Sequence, residues 1–241
     1  MKIVKLDSTE STNRYCEALD LAEVEDFTCY WALEQTAGIG QRGNHWEAEP
    51  GMNLTFSLVL HPTFLPADRQ FKLTKALSLA LVDFFSPFTF HLSPSVKWPN
   101  DIYVGKRKIC GTLVSTRLQG SQIAAAVCGI GLNVNQTVFP DWVPNPTSLA
   151  LLTGKEYELE PLLKKLLACI EKRYNDLKAG QDPEQEYLAR LLNINVPARY
   201  IYNEKEITAT LTGVDPHGHL LLTASDGRHI SCGMKEISFL L

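Results

Sequence analysis

The chain has 241 residues, 45% of them hydrophobic and 21% charged, with a net charge of −4 and a pI of about 5.9. It is long enough for one large domain, or for a medium and a small one, and its acidic balance disfavours bulk binding to nucleic acid or to an anionic membrane. The six cysteines lack the spacing of metal ligands, the N-terminus lacks the apolar core of a signal peptide, and no apolar run reaches the length of a membrane span. We therefore expect a reduced, cytoplasmic protein.

The first segment predicts a strand over residues 3–6 and then a helix in which residues 15, 18, 19 and 22 recur at helical spacing. Between them lies a cluster of small polar residues that includes Ser11, Thr12 and Asn13. These side chains can cap the helix, or they can form the hydrogen-bonding rim of a site for a polar ligand. The pattern leaves both interpretations open.

A second strand is predicted over residues 27–34, and a glycine-rich loop follows it. Gly38, Gly40 and Gly43 fit the GxGxxG spacing, but residues 44–51 are polar and not helical, so the context of a dinucleotide-binding fingerprint is missing. The GxxxxGK[ST] pattern of a P-loop is absent as well. Three glycines in six positions still allow the loop to wrap closely round a ligand and to present backbone N–H groups to phosphate.

A strand over residues 54–60 and a buried helix over residues 71–85 lead to the sequence Lys-Trp-Pro-Asn-Asp at 97–101. Pro99 and the turn residues after it predict a hairpin of strands 95–97 and 102–104, a turn at Gly105, and a longer strand over 108–118. This hairpin would bring Lys97, Asn100, Asp101 and Lys108 together, as an anionic, metal-neutralised substrate requires. The alternative is a solvated turn with ordinary surface charges.

The next strand, residues 122–134, carries glycines at 129 and 131, which mark a close approach of backbone or ligand. A proline-rich loop over 139–146 follows, where Trp142 either anchors the loop or covers a flat ring. Helices are predicted over 147–152, 160–177 and 183–192. From residue 193 onward, five short strands separated by turn pairs predict a small antiparallel barrel, which divides the chain into domains 1–192 and 193–241.

Taken together, the motifs resemble those of biotin protein ligases. Five of them occur in the order found in that family: Ser11–Asn13, residues 35–46, residues 97–101, residues 108–111 and residues 129–133. The resemblance implies an α+β fold, with a mixed-sheet catalytic domain flanked by helices (the class II synthetase-like biotin/lipoate ligase fold) and a small C-terminal SH3-like barrel. It also implies synthesis of biotinyl-5′-adenylate from biotin and ATP with Mg²⁺, and transfer of biotin to a lysine of a carboxylase's biotin carboxyl carrier domain.

The resemblance further implies roles for individual residues. Those expected for biotin are Ser11, Thr12, Asn13, Gln35, Gly38, Gly40, Gln41, Lys108 and Gly111; those for ATP are Arg42, Trp46, Lys97, Asn100, Asn133 and Trp142; those for catalysis are Lys108, Lys97 and Asp101, with Asp101 also expected to contact Mg²⁺. Because every ligand-like motif lies before Asn135, we expect the barrel to support transfer more than biotin recognition.

Two departures from the family pattern are present. The family often has Gly-Arg-Gly-Arg where this chain has Gly38-Ile39-Gly40-Gln41, which bears on how the loop closes and how tightly the intermediate is held. The ligand motifs begin at Ser11, which leaves no room for the N-terminal DNA-binding domain of many members, so we expect a short-form ligase, monomeric or homodimeric, without DNA or membrane partners. The alternatives are a lipoate ligase of the same fold and a non-catalytic sensor of biotin or nucleotide.

Overall fold

The computed structural model describes residues 1–89, 92–234 and 236–241, with the side chain of Arg42 outside the description. A seven-stranded sheet forms the larger part, in the order β1-β2-β3-β7-β6-β5-β4. The pair β1–β2 is parallel and the other pairs are antiparallel. The strands are β1 (Lys2–Thr9), β2 (Thr28–Gln35), β3 (Leu54–Leu60), β4 (Pro94–Lys97), β5 (Asp101–Val104), β6 (Arg107–Gln119) and β7 (Gln122–Leu132).

Helices cover both faces of this sheet. Every residue of β3 is buried, and because successive side chains of a strand point to opposite faces, Leu58 and Val59 join different clusters. Leu58 lies in the large core, and Val59 lies in a smaller cluster with Cys16 and Val127. The helices are α1 (Thr12–Glu17), α2 (Phe71–Phe85), α3 (Leu149–Thr153), α4 (Leu159–Lys178) and α5 (Glu184–Arg190).

Helix α2 is the centre of the large core. It is apolar on almost every side, with Leu73, Leu77 and Leu81 at most 2% exposed, so it packs between the sheet and α4 rather than on the surface. Among the described residues no helix combines the length and the apolarity needed to cross a membrane.

The C-terminal part forms a second, five-stranded antiparallel sheet in the order β11-β10-β9-β8-β12. The hydrophobic core runs from the first sheet into this one without a break, since Leu211 and Leu222 belong to the same cluster as the side chains of α2. The segment between α5 and β8 crosses from one sheet to the other, and the domain division at 192/193 stays a prediction. The strands are β8 (Pro197–Tyr202), β9 (Lys205–Val214), β10 (Leu220–Ala224), β11 (His229–Cys232) and β12 (Ile237–Phe239).

The predicted α+β class and the second antiparallel sheet are confirmed, as are the buried helix at 71–85 and the hairpin around Pro99, whose peptide bond with Trp98 is cis. The first two elements differ from their predicted bounds. Strand β1 continues to Thr9 because it pairs in parallel with β2 as far as Gln35. Helix α1 ends at Glu17, and Asp20 accepts the backbone N–H of Ala22 in a local turn instead of a continued helix.

Candidate active site

The floor of the site is a patch of the large sheet that carries small side chains. On the face that α1 covers, the register aligns Val59 with Val127, then Ser57 with Gly129, then Thr55 with Gly131. Strand β6 continues the last row, since Gly111 pairs with Gly131. From Val59 towards Thr55, the surface of the sheet therefore changes from an apolar contact with α1 to a hollow.

Functional side chains lie directly over the three floor glycines. A Cβ at Gly129 would overlap the amide of Asn13, and one at Gly131 would overlap the indole of Trp46. At Gly111 a Cβ would lie 3.1 Å from Lys108 Nζ and 3.2 Å from Asp101 Oδ1. Gly129 and Gly131, predicted from the sequence to mark a close approach, are thus positions where side chains lie against the backbone, and Gly111 is a third such position.

The polar end of the site is formed by the start of α1 and the end of β2. Ser11 occupies the N-cap position and is 1% exposed, yet its side chain makes no capping hydrogen bond. Thr12 donates to Gln35 Oε1 from its backbone N–H at 2.8 Å and from its hydroxyl at 3.0 Å. These two bonds occupy the amide oxygen of Gln35 and leave its Nε2 as the donor group. The structure thus shows no capping bond from Ser11, and the ligand rim stays a prediction.

Ser57 on β3 connects this polar end to Asn13. Its Oγ is fully buried and lies 2.8 Å from Thr12 Oγ1 and 2.6 Å from Asn13 Oδ1. Asn13 in turn donates to the carbonyl of Leu113 at 3.4 Å. The rotamers of Thr12 and Asn13 are therefore fixed by the strands beneath them. Sequence reasoning missed Ser57, and the available signal was the pair of hydroxyl residues, Thr55 and Ser57, within the otherwise apolar strand 54–60.

The charged end of the site is formed by the hairpin of β4, β5 and β6. Lys108 Nζ lies 2.8 Å from Asp101 Oδ1, with the two side chains 28% and 23% exposed. Lys97 Nζ lies 5.7 Å from the ring centroid of Tyr103 and 5.3 Å from that of Phe239 on β12. Two cations and a carboxylate thus line one wall, and partial burial strengthens their electrostatic effect relative to bulk water.

The glycine loop is a small closed hairpin that projects over the site. Ile39 pairs with His45, Gly40 N–H donates to the carbonyl of Asn44 at 2.6 Å, and Trp46 N–H donates to the carbonyl of Gly38 at 3.0 Å. Gly38 is required there, because a Cβ would lie 2.5 Å from the backbone oxygen of Trp46. Trp46 is thereby held over the floor, 5.5 Å from Lys108 Nζ to the ring centroid.

These elements enclose a cavity of about 250 Å³. Of the residues predicted from the resemblance, those that line it are Ser11, Thr12, Asn13, Gln35, Gly40, Gln41, Trp46, Lys97, Asp101, Lys108 and Gly111. Sequence reasoning missed the wall contributed by the second sheet, which consists of Ile237, Ser238 and Phe239. The motifs before Asn135 therefore do not account for the whole site, because β12 carries no motif and yet borders the cavity.

A second cavity of about 520 Å³ adjoins the first, with Lys108 and Trp46 lining both. The proline-rich loop forms its outer wall, where Trp142 is 60% exposed, and Asn133 lies on its inner side. The loop is attached to the charged end, since Lys108 N–H donates to the carbonyl of Asn145 at 2.7 Å and Thr147 N–H donates to that of Lys108 at 2.9 Å. Of the two interpretations of Trp142, the exposed ring disfavours a buried anchor.

Two residues predicted to contact the nucleotide, Asn100 and Arg42, are not among the described side chains that line either cavity. Asn100 is 2% exposed and lies outside the lining of both cavities, with its amide donating to the carbonyl of Thr112 at 2.7 Å. It supports the turn from behind, and its contact with nucleotide stays a prediction. The predicted role of Arg42 falls on a side chain outside the described residues.

The described side chains do not contain a ready-made metal centre, since no three His, Cys, Asp or Glu groups converge among them. Asp101 is the carboxylate that lines the first cavity in the described part of the chain. Mg²⁺ commonly binds one or two protein carboxylates together with substrate phosphates. The donor set therefore fits a magnesium ion that enters with a nucleotide.

The comparisons with known proteins agree with this geometry. The model of the biotin/lipoate A/B protein ligase family matches residues 6–133, more than half of the chain. The chain belongs to the biotin/lipoate A/B protein ligase family. Within the family it is similar to the biotin–[acetyl-CoA-carboxylase] ligase of Paracoccus denitrificans, with 30% identity over 93% of this chain and 95% of that protein.

A further relative is the bifunctional ligase/repressor BirA of Bacillus subtilis, 29% identical over 92% of this chain and 69% of that protein. Among solved structures, the biotin protein ligase from Aquifex aeolicus in complex with biotin and ATP matches with a TM-score of 0.79 and 25% identity, covering 98% of this chain and 97% of that one. The resemblance to biotin protein ligases stated from the motifs is thus confirmed.

Proposed function

We propose that the chain is an ATP-dependent biotin protein ligase that forms biotinyl-5′-adenylate and transfers the biotinyl group to a lysine of a biotin carboxyl carrier domain. The observation that carries this proposal is the position of Ser11, a residue 1% exposed that stands at an N-cap without capping the helix and lines the first cavity. Buried polar groups are normally hydrogen-bonded, so a hydroxyl in this position favours a polar ligand. The amide donor of Gln35 beside it favours a ligand with a carbonyl acceptor, such as the ureido group of biotin.

The two ends of the first cavity match the two ends of biotin. The ureido ring would lie against Ser11, Thr12 and Gln35, and the carboxylate would point to Lys108. The wall between them contains Phe56, Leu113 and Ile130, which suits the apolar ring and chain. A polar end is not needed for lipoate, whose dithiolane ring carries no hydrogen-bonding head, so the set at Ser11 and Gln35 favours biotin over lipoate.

Adenylation joins two anions, which repel each other. An oxygen of the biotin carboxylate would attack the α-phosphorus of ATP, and the bond to the β-phosphate bridging oxygen would break to release pyrophosphate. Lys108 would neutralise the carboxylate and then the phosphoryl oxygens, and Lys97 would face the phosphates from the end of β4. The protein would thus act by positioning and by charge neutralisation. Asp101 would hold Mg²⁺, which supplies further neutralisation of the phosphates when bound.

The nucleotide would lie in the second cavity. It adjoins the charged end through Lys108, and Trp46 and Trp142 offer flat apolar surfaces to a purine ring. Aromatic rings are suited to stacking against nucleobases. The shared position of Lys108 would place the α-phosphate next to the biotin carboxylate.

Transfer would follow at the same place. The carrier lysine, as a neutral amine, would attack the carbonyl carbon of the biotinyl-adenylate and form an amide, with AMP as the leaving group and a proton released from the amine. The names of the relatives point to a carboxylase as the source of the carrier.

The test is incubation with biotin, ATP, Mg²⁺ and a purified biotin carboxyl carrier domain, followed by intact-mass measurement of the carrier. We expect a gain of one biotinyl group that requires ATP and the acceptor lysine, with pyrophosphate released when biotin is added. The same assay with lipoate in place of biotin tests for lipoate ligase activity. Biotin binding without pyrophosphate release would instead support the sensor.

A further inference from the structure

The turn that carries Lys97 and Asp101 is anchored from behind by helix α5. Tyr187 is fully buried, and its hydroxyl donates to the backbone carbonyl of Pro99 at 2.7 Å. Pro99 lies midway between Lys97 and Asp101 in sequence. The bond therefore acts on the backbone that orients both charged side chains.

Tyr187 is itself held firmly by charged and aromatic neighbours. Its ring meets that of Phe71 edge-on, with centroids 6.0 Å apart. Lys75, 1% exposed, places its ammonium 5.6 Å from the centroid of the Tyr187 ring and forms an ion pair with Glu184, one turn earlier on α5. A buried charge persists only when it is paired, so these contacts fix the phenol with respect to α2 and α5.

Further contacts hold the same turn from the second sheet and from the end of α5. Trp98 Nε1 donates to the carbonyl of Gly218 at 3.0 Å, and Leu192 N–H donates to that of Val96 at 2.8 Å. Gly218 has a φ of +93°, and a Cβ there would lie within 3.0 Å of the Phe71 ring. The backbone from Val96 to Pro99 is thus fastened to α5 and to the second sheet, away from the ligand.

We propose that Tyr187 is a positioning residue for adenylation, which sets the placement of Lys97 and Asp101 through the carbonyl of Pro99 without touching a substrate. The role rests on the proposed function and adds a residue to it. Positioning errors are costly in such chemistry, since a misplacement of 1 Å can lower the rate by about 100-fold. Burial raises the pKa of the Tyr187 hydroxyl well above its ordinary value, so it donates its proton throughout the working pH range.

The test compares Tyr187→Phe with a matched control, Tyr200→Phe. Tyr200 is also fully buried, but its hydroxyl has no hydrogen-bond partner in the described part of the chain. For each folded variant, biotin-dependent pyrophosphate release gives kcat and KM for ATP, calorimetry gives biotin affinity, and thermal unfolding gives Tm. We expect Tyr187→Phe to lower kcat/KM for ATP on the order of 10-fold with biotin affinity unchanged, and Tyr200→Phe to match the wild type.

A purely structural role would lower Tm and leave the kinetics of the folded protein intact, and that result would overturn the proposal. Equal kinetic losses in the two variants would overturn it as well. If Tyr187→Phe does not fold, Glu184→Gln decides: it removes the charge that holds Lys75 beside the phenol, and it should lower kcat/KM for ATP in the same direction by a smaller factor. Unchanged kinetics in that folded variant would refute the proposal. The wild-type protein separates the proposed function from the proposed role of Tyr187. If the wild type releases no pyrophosphate when biotin and ATP are added, the proposed function is refuted. If it does release pyrophosphate, the variants test the role of Tyr187.

Discussion

Lys108 and Asp101 form an ion pair across the face of Gly111, with 2.8 Å between Nζ and Oδ1. The absence of a side chain at Gly111 makes this arrangement possible, since a Cβ would lie 3.1–3.2 Å from both charged groups. The carboxylate holds the ammonium at the place where a ligand carboxylate would enter. Under the proposed function, the same carboxylate would also hold the metal ion that enters with the nucleotide and that would neutralise its phosphates.

The first prediction concerns this ammonium. Lys108→Ala should lower biotin-dependent pyrophosphate release by about 100-fold or more, the usual scale for loss of a group that stabilises developing charge. Lys106→Ala is the matched control, because Lys106 is exposed and lies outside both cavities. Lys108→Arg should rescue only in part, since a planar guanidinium does not replace a compact ammonium. Near-normal release from folded Lys108→Ala would move the role to Lys97.

The second prediction concerns the polar end. Ser11→Ala and Gln35→Ala should each weaken biotin binding by about 1–3 kcal/mol, because a buried ligand group loses its partner, and should leave ATP binding nearly unchanged. Ser8→Ala, at an exposed position on β1, serves as the control. Calorimetric titration with each ligand measures the difference. Wild-type biotin affinity in both variants would place these residues outside the ligand site.

The third prediction concerns the wall from the second sheet. Phe239→Ala removes the ring near Lys97 and should lower the adenylation rate by about 2–5-fold, in line with a cation–π contact of about 0.5–1 kcal/mol. Leu240→Ala, one residue further and outside the cavity lining, should have no effect. Biotin affinity is expected to stay constant in both. A loss of biotin affinity in Phe239→Ala would contradict the expectation that this part of the chain supports transfer more than recognition.

The fourth prediction concerns the thiols. Burial raises the pKa of Cys16 to about 12 and that of Cys232 to about 11, so both hold less thiolate at pH 8 than an ordinary cysteine. Cys169 is the partly exposed one among the six free cysteines. Ellman's reagent at pH 8 should therefore react with one thiol at most in the native protein and with six after denaturation. Rapid reaction of two or more native thiols would contradict this burial.

Much of the site could be predicted from sequence because its residues lie in short motifs with turn chemistry. The hairpin at Pro99 brings Lys97, Asp101 and Lys108 together through local geometry, and local geometry is what sequence patterns encode. The polar residues at Ser11 could be found but not interpreted, because capping and ligand binding use the same side chains. Only the three-dimensional structure shows that Ser11 makes no cap bond.

The rest depended on long-range contacts that no local pattern records. Phe239 reaches the cavity from a sequence distance of more than a hundred residues, and Ile237 and Ser238 accompany it in an ordinary short strand. Tyr187 looks like a core residue of an amphipathic helix, and only the position of Pro99 reveals its hydrogen bond. The same holds for Ser57, whose partners come from a different element of the chain.

The glycines at 111, 129 and 131 belong to paired strands in the middle of the sheet. The depth of the hollow above them is consequently set by paired strands of the sheet, whereas the glycine loop, which carries Trp46, sets how the hollow is covered. An additional methyl group at Gly129 would overlap Asn13 Oδ1, so it would make the hollow shallower and would also displace a side chain that is predicted to bind biotin. The sheet thus limits how deep a ligand can lie, and exchange of the glycine loop between relatives should change the cover over the site without changing that depth.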